Sequence, residues 1–509
     1  MLFIAAAAIS GFTILRGVDP FDEGLVLQAA RRVAHGQVPY RDFLWAYGPA
    51  QVYLLAGLSK LFGASLLQWR ILRVLADAGV ALVVFVLLRR EAGTRIALAG
   101  WLAAATAIAQ PRSANPFALA LVCTLATVLV ASGEGPARRR TAAAALLTAV
   151  AAAFRLDFGI YAAAAGAFTF WAGDGLRAAS AYVAGSALLA ALLYLPFALA
   201  DGIPSLYQAL VGTSLREAGW WTLPFPIAYH GPLSAWPPQA FLKDAKHVVD
   251  YYVPLLLVAG LVVTLAVAGH RTLRGWPASG RRLTRRLALP PSWAGLLVLG
   301  LGFVLYLRSR TDEFHTQPLL VVLAVLLPAA ALAARPRWLR VAATAVFALL
   351  LAHGVANRGV AAFQRPDLAP VHARAADGVQ APRREAQSID RLVRIVDRLT
   401  RPGAPIYVAP RRADLVRFND ALVYVLVDRD NPTRRDFGLL SRAGEQREAI
   451  AALERARPRV VVRWTDPLSS RREPNLSGHS SGVHLLDRYL LRRYRPLVRL
   501  YHYDVLVRR

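Results

Sequence analysis

The chain has 509 residues, 56% of them hydrophobic, and its mean hydropathy is +0.39. The apolar residues stand in long blocks, which are typical of membrane helices and exclude an ordinary soluble multidomain protein. One Cys and one Met exclude a disulfide framework and a thiolate metal site. The net charge of +28 does not indicate nucleic-acid binding, because many of the 57 Arg residues lie between the hydrophobic blocks.

In chain order, we predict about eleven membrane-spanning segments, each near the roughly 20 residues that a bilayer requires. They lie near residues 1–15, 68–88, 95–110, 116–133, 141–154, 158–172, 178–200, 252–269, 292–307, 318–334 and 341–356. The first segment is short and lacks the flanks of a cleavable signal peptide. We therefore interpret it as a membrane anchor.

The loops between these segments alternate in charge. One set is rich in Arg and lies near residues 89–95, 138–140, 177, 271–286 and 335–340. The positive-inside rule places this set, and the N-terminus with it, in the cytoplasm. The loops 16–67, 201–251 and 308–317 then lie outside. The pattern predicts a multi-pass protein of the cytoplasmic (inner) membrane.

The last part of the chain has a different pattern. Helical stretches such as RREAQSIDRLVRIVDRL alternate with short β-rich runs such as RVVVRW, and turn residues separate them. We expect a membrane domain over 1–356 and a small outer α/β domain over 357–509. The outer domain holds 30 Arg against 17 Asp and Glu. Such a surface suits anionic membrane lipid or a polyanionic glycan, and equally an ordinary solvated surface.

The first outer loop begins with GVDPFDEGLVLQAARRVAHG. It places Asp19, Asp22 and Glu23 where the first segment leaves the bilayer. From Glu23 to His35 the apolar residues have helical spacing, which predicts an amphipathic helix lying in the membrane interface. Carboxylates at that depth can act on a lipid headgroup. Acids at a helix N-terminus are also ordinary helix caps, and that interpretation stays open.

The order of these features resembles the GT-C superfamily of membrane glycosyltransferases. A first helix, an outer loop with "DE", an amphipathic helix, the segment YGPAQVYLLAGLSKLFG and then Arg70 in the next span are similar to the protein O-mannosyltransferases and the lipid A aminoarabinose transferases. The resemblance covers about the first 200 residues. One position departs from it, because the transferases' Glu-Lys pair before the proline is Tyr47-Gly48 here.

The resemblance implies that a sugar moves from a polyprenyl phosphate to a hydroxyl group of a lipid, glycan or protein acceptor. It places the catalytic base at Asp22, with Glu23 as the second candidate. A carboxylate near the bilayer boundary has a raised pKa, which suits a general base. The phosphate leaving group needs positive charge, which Arg supplies through a bidentate contact.

Further candidates for donor-phosphate or substrate binding are charged residues near the outer ends of the spans. They are Arg155, Arg70, Arg73, Arg308, Arg310, His315 and Asp42. Each has a structural alternative: Arg70 and Arg73 can extend to the lipid headgroups, and Arg155 can pair with Asp157. The aromatic residues of loop 201–250 suit sugar stacking, an isoprenoid groove or an interfacial aromatic belt; they are Trp220, Trp221, Phe225, Tyr229 and Trp236.

No cofactor is predicted with certainty. His315 follows Asp312 and Glu313, so a divalent metal is conceivable there. The sequence has neither a G-x-G-x-x-G motif after a strand nor a Walker A motif, so we expect no nucleotide sugar. A transporter or flippase of lipid-linked glycans and a non-catalytic cell-envelope assembly protein are the alternative functions.

Overall fold

The computed structural model describes residues 1–112, 117–225, 231–274, 289–364, 366–437 and 439–509. Each of the eleven predicted apolar segments is a helix. These helices are α1 (Leu2–Gly11), α4 (Leu66–Ala92), α5 (Thr94–Ile108), α6 (Phe117–Ala131), α7 (Ala137–Phe154), α8 (Leu156–Gly173), α9 (Leu176–Asp201), α13 (Pro238–Arg274), α14 (Pro291–Ser309), α15 (Glu313–Ala333) and α16 (Arg337–Phe363). Outside them lie α2 (Asp22–Ala34) and α3 (Ala50–Phe62), and the short helices α10 (Ile203–Tyr207), α11 (Thr213–Arg216) and α12 (Ala218–Trp221).

Six of the described helices are long and apolar enough to cross a membrane: α4, α9, α13, α14, α15 and α16. The helices α1, α5 and α6 are apolar but shorter. Helix α15 is the most buried of the six, whereas α9 is mostly exposed and turns Leu188, Leu192, Leu195 and Leu199 outward. Apolar side chains on an outer face are what lipid contact requires. The chain is therefore an integral membrane protein with a polytopic helical fold.

The last part of the chain has the predicted small α/β structure. We call residues 366–509 the outer region, after the side of the membrane predicted for them. Its helices are α17 (Arg383–Leu399), α18 (Leu422–Leu426), α19 (Ala443–Ala456) and α20 (Leu485–Arg493), and its strands are β1 (Leu368–Pro370), β2 (Gln380–Pro382), β3 (Tyr407–Ala409), β4 (Val460–Trp464), β5 (Tyr494–Arg499) and β6 (Tyr503–Arg508). β1 and β2 form an antiparallel pair. The other four strands form one sheet in the order β3-β4-β6-β5, in which only the β3–β4 pair is parallel.

Helix α2 is present as predicted, but it does not have the free polar face of an amphipathic surface helix. Every residue from Glu23 to Val33 is buried. The helix packs on α3 and α4 and also on α18 of the outer region. A Cβ at Gly24 would lie 2.5 Å from the backbone nitrogen of Leu422, so the close contact of the two helices requires glycine.

Two arginines of α2 explain why the helix has no free polar face. Arg31 bonds to Asp428 and Asp430 at 2.9 and 2.8 Å. Arg32 bonds to the buried Asp436 at 2.7 Å. In the predicted interfacial helix, these arginines would lie on the polar side, exposed to water. They are instead the ion pairs that join α2 to the outer region.

Candidate active site

The Asp22 carboxylate stands at the first position of α2 and is half-buried. Within the part of the chain that the structure describes, it accepts no hydrogen bond, whereas the neighbouring acids Asp19 and Glu23 both do. Acids at a helix N-terminus usually bond to the free amides of the first turn. Asp22 therefore keeps its acceptor oxygens available to a ligand.

The charges that act on Asp22 come from two other elements. Asp312 and His315 lie at the start of α15, Arg310 lies just before it, and Arg155 lies between α7 and α8. Burial and the Asp312 carboxylate raise the pKa of Asp22 to about 6, although the positive charges of His315, Arg155 and Arg310 lower it. Two arginines and one histidine thus lie close enough to Asp22 for their charges to act on its carboxylate.

Asp312 organises the α15 side of the site. Its carboxylate accepts hydrogen bonds from the His315 amide at 3.1 Å, from His315 Nδ1 at 2.6 Å and from Arg310 Nε at 2.5 Å. Burial raises the pKa of Asp312, but the bond and charge of His315 and the charge of Arg310 lower it further, to about 2. Because an ionised carboxylate only accepts, His315 Nδ1 carries the proton, and Nε2 is left for a ligand.

Arg155 lies in a cage of rings. Its guanidinium carbon is 5.4, 5.0 and 4.9 Å from the ring centroids of Tyr47, Phe158 and Tyr306. It also donates to both oxygens of Asp157 at 3.0 and 2.7 Å, so the ion pair considered in the sequence is present. The Tyr306 ring stacks on His315 with centroids 4.5 Å apart. Arg155 and His315 therefore contact the same tyrosine.

Tyr47 and Tyr306 were not predicted as parts of the site. Tyr47 occupies the place of the resemblance's Glu-Lys pair, and its ring contacts Arg155. Burial raises the pKa of Tyr47 to about 12, so the phenol stays neutral. An aromatic residue directly before the glycine and proline was the available signal. Its partner Arg155 lies more than 100 positions away, so the contact between them could not be predicted from the sequence.

Arg70, Glu23 and Arg73 do not point to the Asp22 carboxylate. Arg70 and Glu23 are fully buried and joined by two bonds of 2.7 and 2.8 Å. Arg70 also donates to the carbonyls of Ile14 and Gly17, each at 2.7 Å. Arg73 is equally buried and pairs with Asp77 at 2.7 Å. The two arginines therefore do not extend to the headgroups. Arg70 connects α4 to the segment before α2, and Arg73 binds Asp77 in the next turn of α4.

The remaining candidates lie apart from these groups. Asp42 pairs with its neighbour Arg41 at 2.9 Å and accepts from the Val38 amide at 2.7 Å. Arg308 is exposed at the end of α14. Arg310, by contrast, bonds to both oxygens of Glu473 at 3.0 and 2.9 Å as well as to Asp312. It therefore links the site to the outer region.

An aromatic cluster holds the start of α2 against the outer region. The Phe21 ring, one residue before Asp22, contacts Phe418 and Trp464 with centroids 5.0 and 5.3 Å apart. Trp221 stacks on Phe418 at 5.0 Å. Trp221 is thus a packing residue rather than a free stacking platform. Trp220 is buried, Phe225 packs on the membrane core, and Trp236 is 79% exposed. Tyr229 lies outside the described residues.

A metal site was considered at Asp312, Glu313 and His315. Among the described residues, one group of three side chains brings its possible ligand atoms within 4.8 Å of one another, and it lies in the outer region: Asp414, His484 and Asp487. This group fits a cation poorly. Arg412 donates to both oxygens of Asp414 at 2.9 and 2.6 Å, and the Ser480 hydroxyl bonds to one of them, so the carboxylate is already neutralised.

No protein-family model matches the sequence, and a search of curated proteins finds no match. Solved structures do match. ArnT from Cupriavidus metallidurans, bound to undecaprenyl phosphate, has a TM-score of 0.56 and 15% identity, covering 99% of this chain and 97% of its own. Its apo state has a TM-score of 0.55 with the same identity and coverage.

The apo form of the Archaeoglobus fulgidus oligosaccharyltransferase has a TM-score of 0.52 and 13% identity, covering 91% of this chain and 69% of its own. Identities this low establish the fold alone. The GT-C resemblance predicted from the first 200 residues is confirmed for the fold, and it extends over nearly the whole chain. The chain has the fold of ArnT and of the archaeal oligosaccharyltransferase.

Proposed function

We propose that this protein is a glycosyltransferase that moves a sugar from a polyprenyl phosphate to an acceptor hydroxyl. The observation that carries the proposal is the available Asp22 carboxylate, on which the charges of Arg155, Arg310 and His315 act. A base beside clustered positive charge is what this transfer needs. The matching ArnT structure, bound to undecaprenyl phosphate, supports the class of donor. The acceptor is a lipid, glycan or protein hydroxyl.

In the proposed reaction, Asp22 takes the proton of the acceptor hydroxyl as its oxygen attacks the anomeric carbon. The bond from that carbon to the phosphate oxygen breaks, and the phosphate leaves with the electron pair. The positive charges of Arg155 and Arg310 stabilise the charge on the phosphate. In its protonated form, His315 also donates an N–H from Nε2 to a phosphate oxygen. Arg155 is shared with Asp157, so the phosphate meets a guanidinium that is already oriented.

Sugar transfer in vesicles tests the function directly. The full chain is reconstituted and given radiolabelled polyprenyl-phosphate sugars with membrane-derived acceptors. We expect label in the acceptor and free polyprenyl phosphate in equal amounts. A flippase would move the labelled lipid across the bilayer without forming a new glycosidic bond. An assembly protein would do neither, so both results would contradict the proposal.

Removal of metal is expected to leave transfer unchanged. The proposed phosphate ligands are Arg155, Arg310 and His315, and the Asp414 group fits a cation poorly. Transfer is measured after dialysis against EDTA and again after addition of Mg²⁺ or Mn²⁺. A loss of activity that either ion restores would show that a divalent cation, together with the arginines, stabilises the charge on the phosphate.

The pH dependence follows from the raised pKa of Asp22. The base acts as the ionised carboxylate, and its pKa of about 6 lies above the usual value. Above pH 6 the carboxylate is ionised and kcat/KM is expected to be level. Below pH 6 the protonated fraction grows, and kcat/KM should fall about tenfold for each pH unit. A profile that stays level down to pH 4 would exclude a base with this pKa.

Arg155 is proposed to bind the donor phosphate. We expect Arg155→Ala to weaken donor binding and Arg155→Lys to recover only part of it, because an ammonium cannot bond to both oxygens of Asp157 and also donate to a phosphate. Binding of the polyprenyl-phosphate sugar is measured on the monodisperse fraction, so that misfolded protein does not count. Arg177→Ala removes an exposed arginine at the start of α9 and serves as the matched control. Equal donor affinity in wild type and Arg155→Ala would leave Arg155 as a structural ion pair.

From the Arg-rich loops we propose that the N-terminus lies on the cytoplasmic side of the inner membrane. The outer region then lies on the opposite, extracytoplasmic side. A reporter fused after Arg509 should be active outside, and reporters in 135–140 and 272–288 should be active inside. A C-terminus in the cytoplasm would place Asp22 on the wrong side for an externally presented donor. That result would overturn the proposed site of the reaction.

A further inference from the structure

A cavity of about 290 Å³ opens between α12 and the outer region, separate from Asp22. Its apolar wall is formed by Trp220, Val416 and Leu476. Its polar groups include Ser441, Arg442 and His479, with two further serines. Ligand pockets usually measure about 300–1,000 Å³, so this cavity has room for one small ligand such as a single sugar ring.

Ser441 indicates that the cavity takes a polar ligand. The residue is only 5% exposed, and its hydroxyl has no hydrogen-bond partner among the described residues. Buried polar groups are almost always hydrogen-bonded. A hydroxyl or anionic oxygen in the cavity would supply the missing partner. The Ser480 hydroxyl donates to Asp414, and the Ser481 hydroxyl accepts from the Val483 amide. The Ser441 hydroxyl has no partner among the described residues and can bond to a ligand.

Arg442 indicates that the ligand is negatively charged. Its side chain is exposed, and its guanidinium carbon lies 5.2 Å from the centroid of the Trp220 ring. It forms no salt bridge with a described carboxylate, although its charge acts on the buried Glu217. A guanidinium that lies over an indole keeps N–H donors for an incoming anion. The indole and Leu476 offer apolar surface to a sugar ring.

The cavity and the Asp22 site share a wall. The loop 471–481 gives Glu473 to Arg310 on one side and Leu476 and His479 to the cavity on the other. Trp220 is followed by Trp221, which stacks on Phe418, and Phe418 contacts Phe21 next to Asp22. These ring contacts connect the wall of the cavity to the residue before Asp22.

We propose that this cavity binds one anionic sugar unit, carrying a phosphate or a carboxylate, of the acceptor. Arg442 and Ser441 bind the anion, and the ring packs on Trp220 and Leu476. The assignment to the acceptor rests on the proposed function, whereas the binding of an anionic sugar does not.

Titration calorimetry on the full chain in detergent tests the binding. The probes are glucose 6-phosphate, glucuronic acid, glucose and inorganic phosphate. We expect the two anionic sugars to bind at least about tenfold more tightly than glucose or phosphate, because only they satisfy both the arginine and the apolar wall. Arg442→Gln and Ser441→Ala should each weaken glucose 6-phosphate about tenfold, since each removes a charge-assisted hydrogen bond. Arg447→Gln, an exposed arginine of the same helix, should bind as wild type does.

Equal affinity for phosphate and glucose 6-phosphate would overturn the sugar site and leave an anion site. Unchanged affinity in both Arg442→Gln and Ser441→Ala would overturn the cavity itself. The Asp22→Asn chain separates the two proposals, because it should bind glucose 6-phosphate normally while transferring sugar at least about a hundredfold more slowly. A wild-type chain that binds the probe but never transfers sugar would support the cavity and contradict the proposed function. Inhibition of transfer by the probe should be competitive with the acceptor, and competition with the donor instead would overturn the acceptor assignment.

Discussion

Asp22→Asn is expected to slow sugar transfer by at least about a hundredfold, within the roughly 10²–10⁴-fold range for loss of a general base. Asparagine keeps the size of the side chain and removes its basicity. Because no described residue hydrogen-bonds to Asp22, the change breaks no contact in the fold. The variant should therefore insert normally and bind the donor. Transfer is measured at saturating donor and acceptor, so that kcat is compared rather than binding.

Asp42→Asn is the comparison from the same loop. Asp42 is paired with Arg41 and takes no part in the charges that act on Asp22. Its loss is expected to leave transfer near normal. The pH profile gives a second measurement, because Asp22→Asn should lose the fall in rate below pH 6. Near-normal turnover of Asp22→Asn would assign the base to Glu23 or Asp42 instead. Normal activity in each of the variants Asp22→Asn, Glu23→Gln and Asp42→Asn would contradict the enzyme proposal.

Arg70→Ala is expected to destabilise the fold by about 3–5 kcal/mol, because it leaves Glu23 as an unpaired charge in a fully buried position. It also removes the donors to the carbonyls of Ile14 and Gly17. Those carbonyls belong to the segment that leads into Asp22, so the surviving folded protein should also lose activity. Glu23→Gln keeps one acceptor for Arg70 and should be milder in both respects.

The measurement for this pair is thermal unfolding in detergent, followed by the yield of monodisperse protein. Arg89→Ala is the matched control, because Arg89 is exposed in the last turn of the same helix. Surface substitutions of that kind usually change stability by no more than about 0.5 kcal/mol. If Arg70→Ala unfolded like Arg89→Ala and lost only donor affinity, Arg70 would be a phosphate ligand after all.

The outer region changes how the active site is understood. The sequence suggested a catalytic loop lying on the membrane and a separate basic domain. In the structure, Phe21 packs on Phe418 and Trp464, and Arg310 bonds to Glu473. The groups on both sides of Asp22 are thus held by residues from the last 100 positions of the chain. The position of Asp22 therefore depends on the outer region as much as on the membrane helices.

The sequence by itself determined the helical membrane architecture and the small α/β region, because both follow from local patterns. An apolar block of bilayer length has to become a helix wherever its neighbours lie, since no other element hydrogen-bonds its own backbone in lipid. The order of the first helices and the "DE" pair were equally local. They were sufficient to name Asp22 and the GT-C resemblance that the fold confirms.

Only the tertiary structure decided what each charged residue does. Glu23 and Asp22 are adjacent in sequence, yet Glu23 is fully buried against Arg70 while Asp22 remains available. Arg70 and Arg155 looked alike at the outer ends of their helices. Arg70 binds a distant carboxylate and two carbonyls, whereas Arg155 binds the nearby Asp157 and lies among three rings. The cost of burying a charge is met by partners that lie far away in the chain, such as Asp436 for Arg32. Local patterns contain no information about which partner that is, because it is set by how the helices and the outer region pack together.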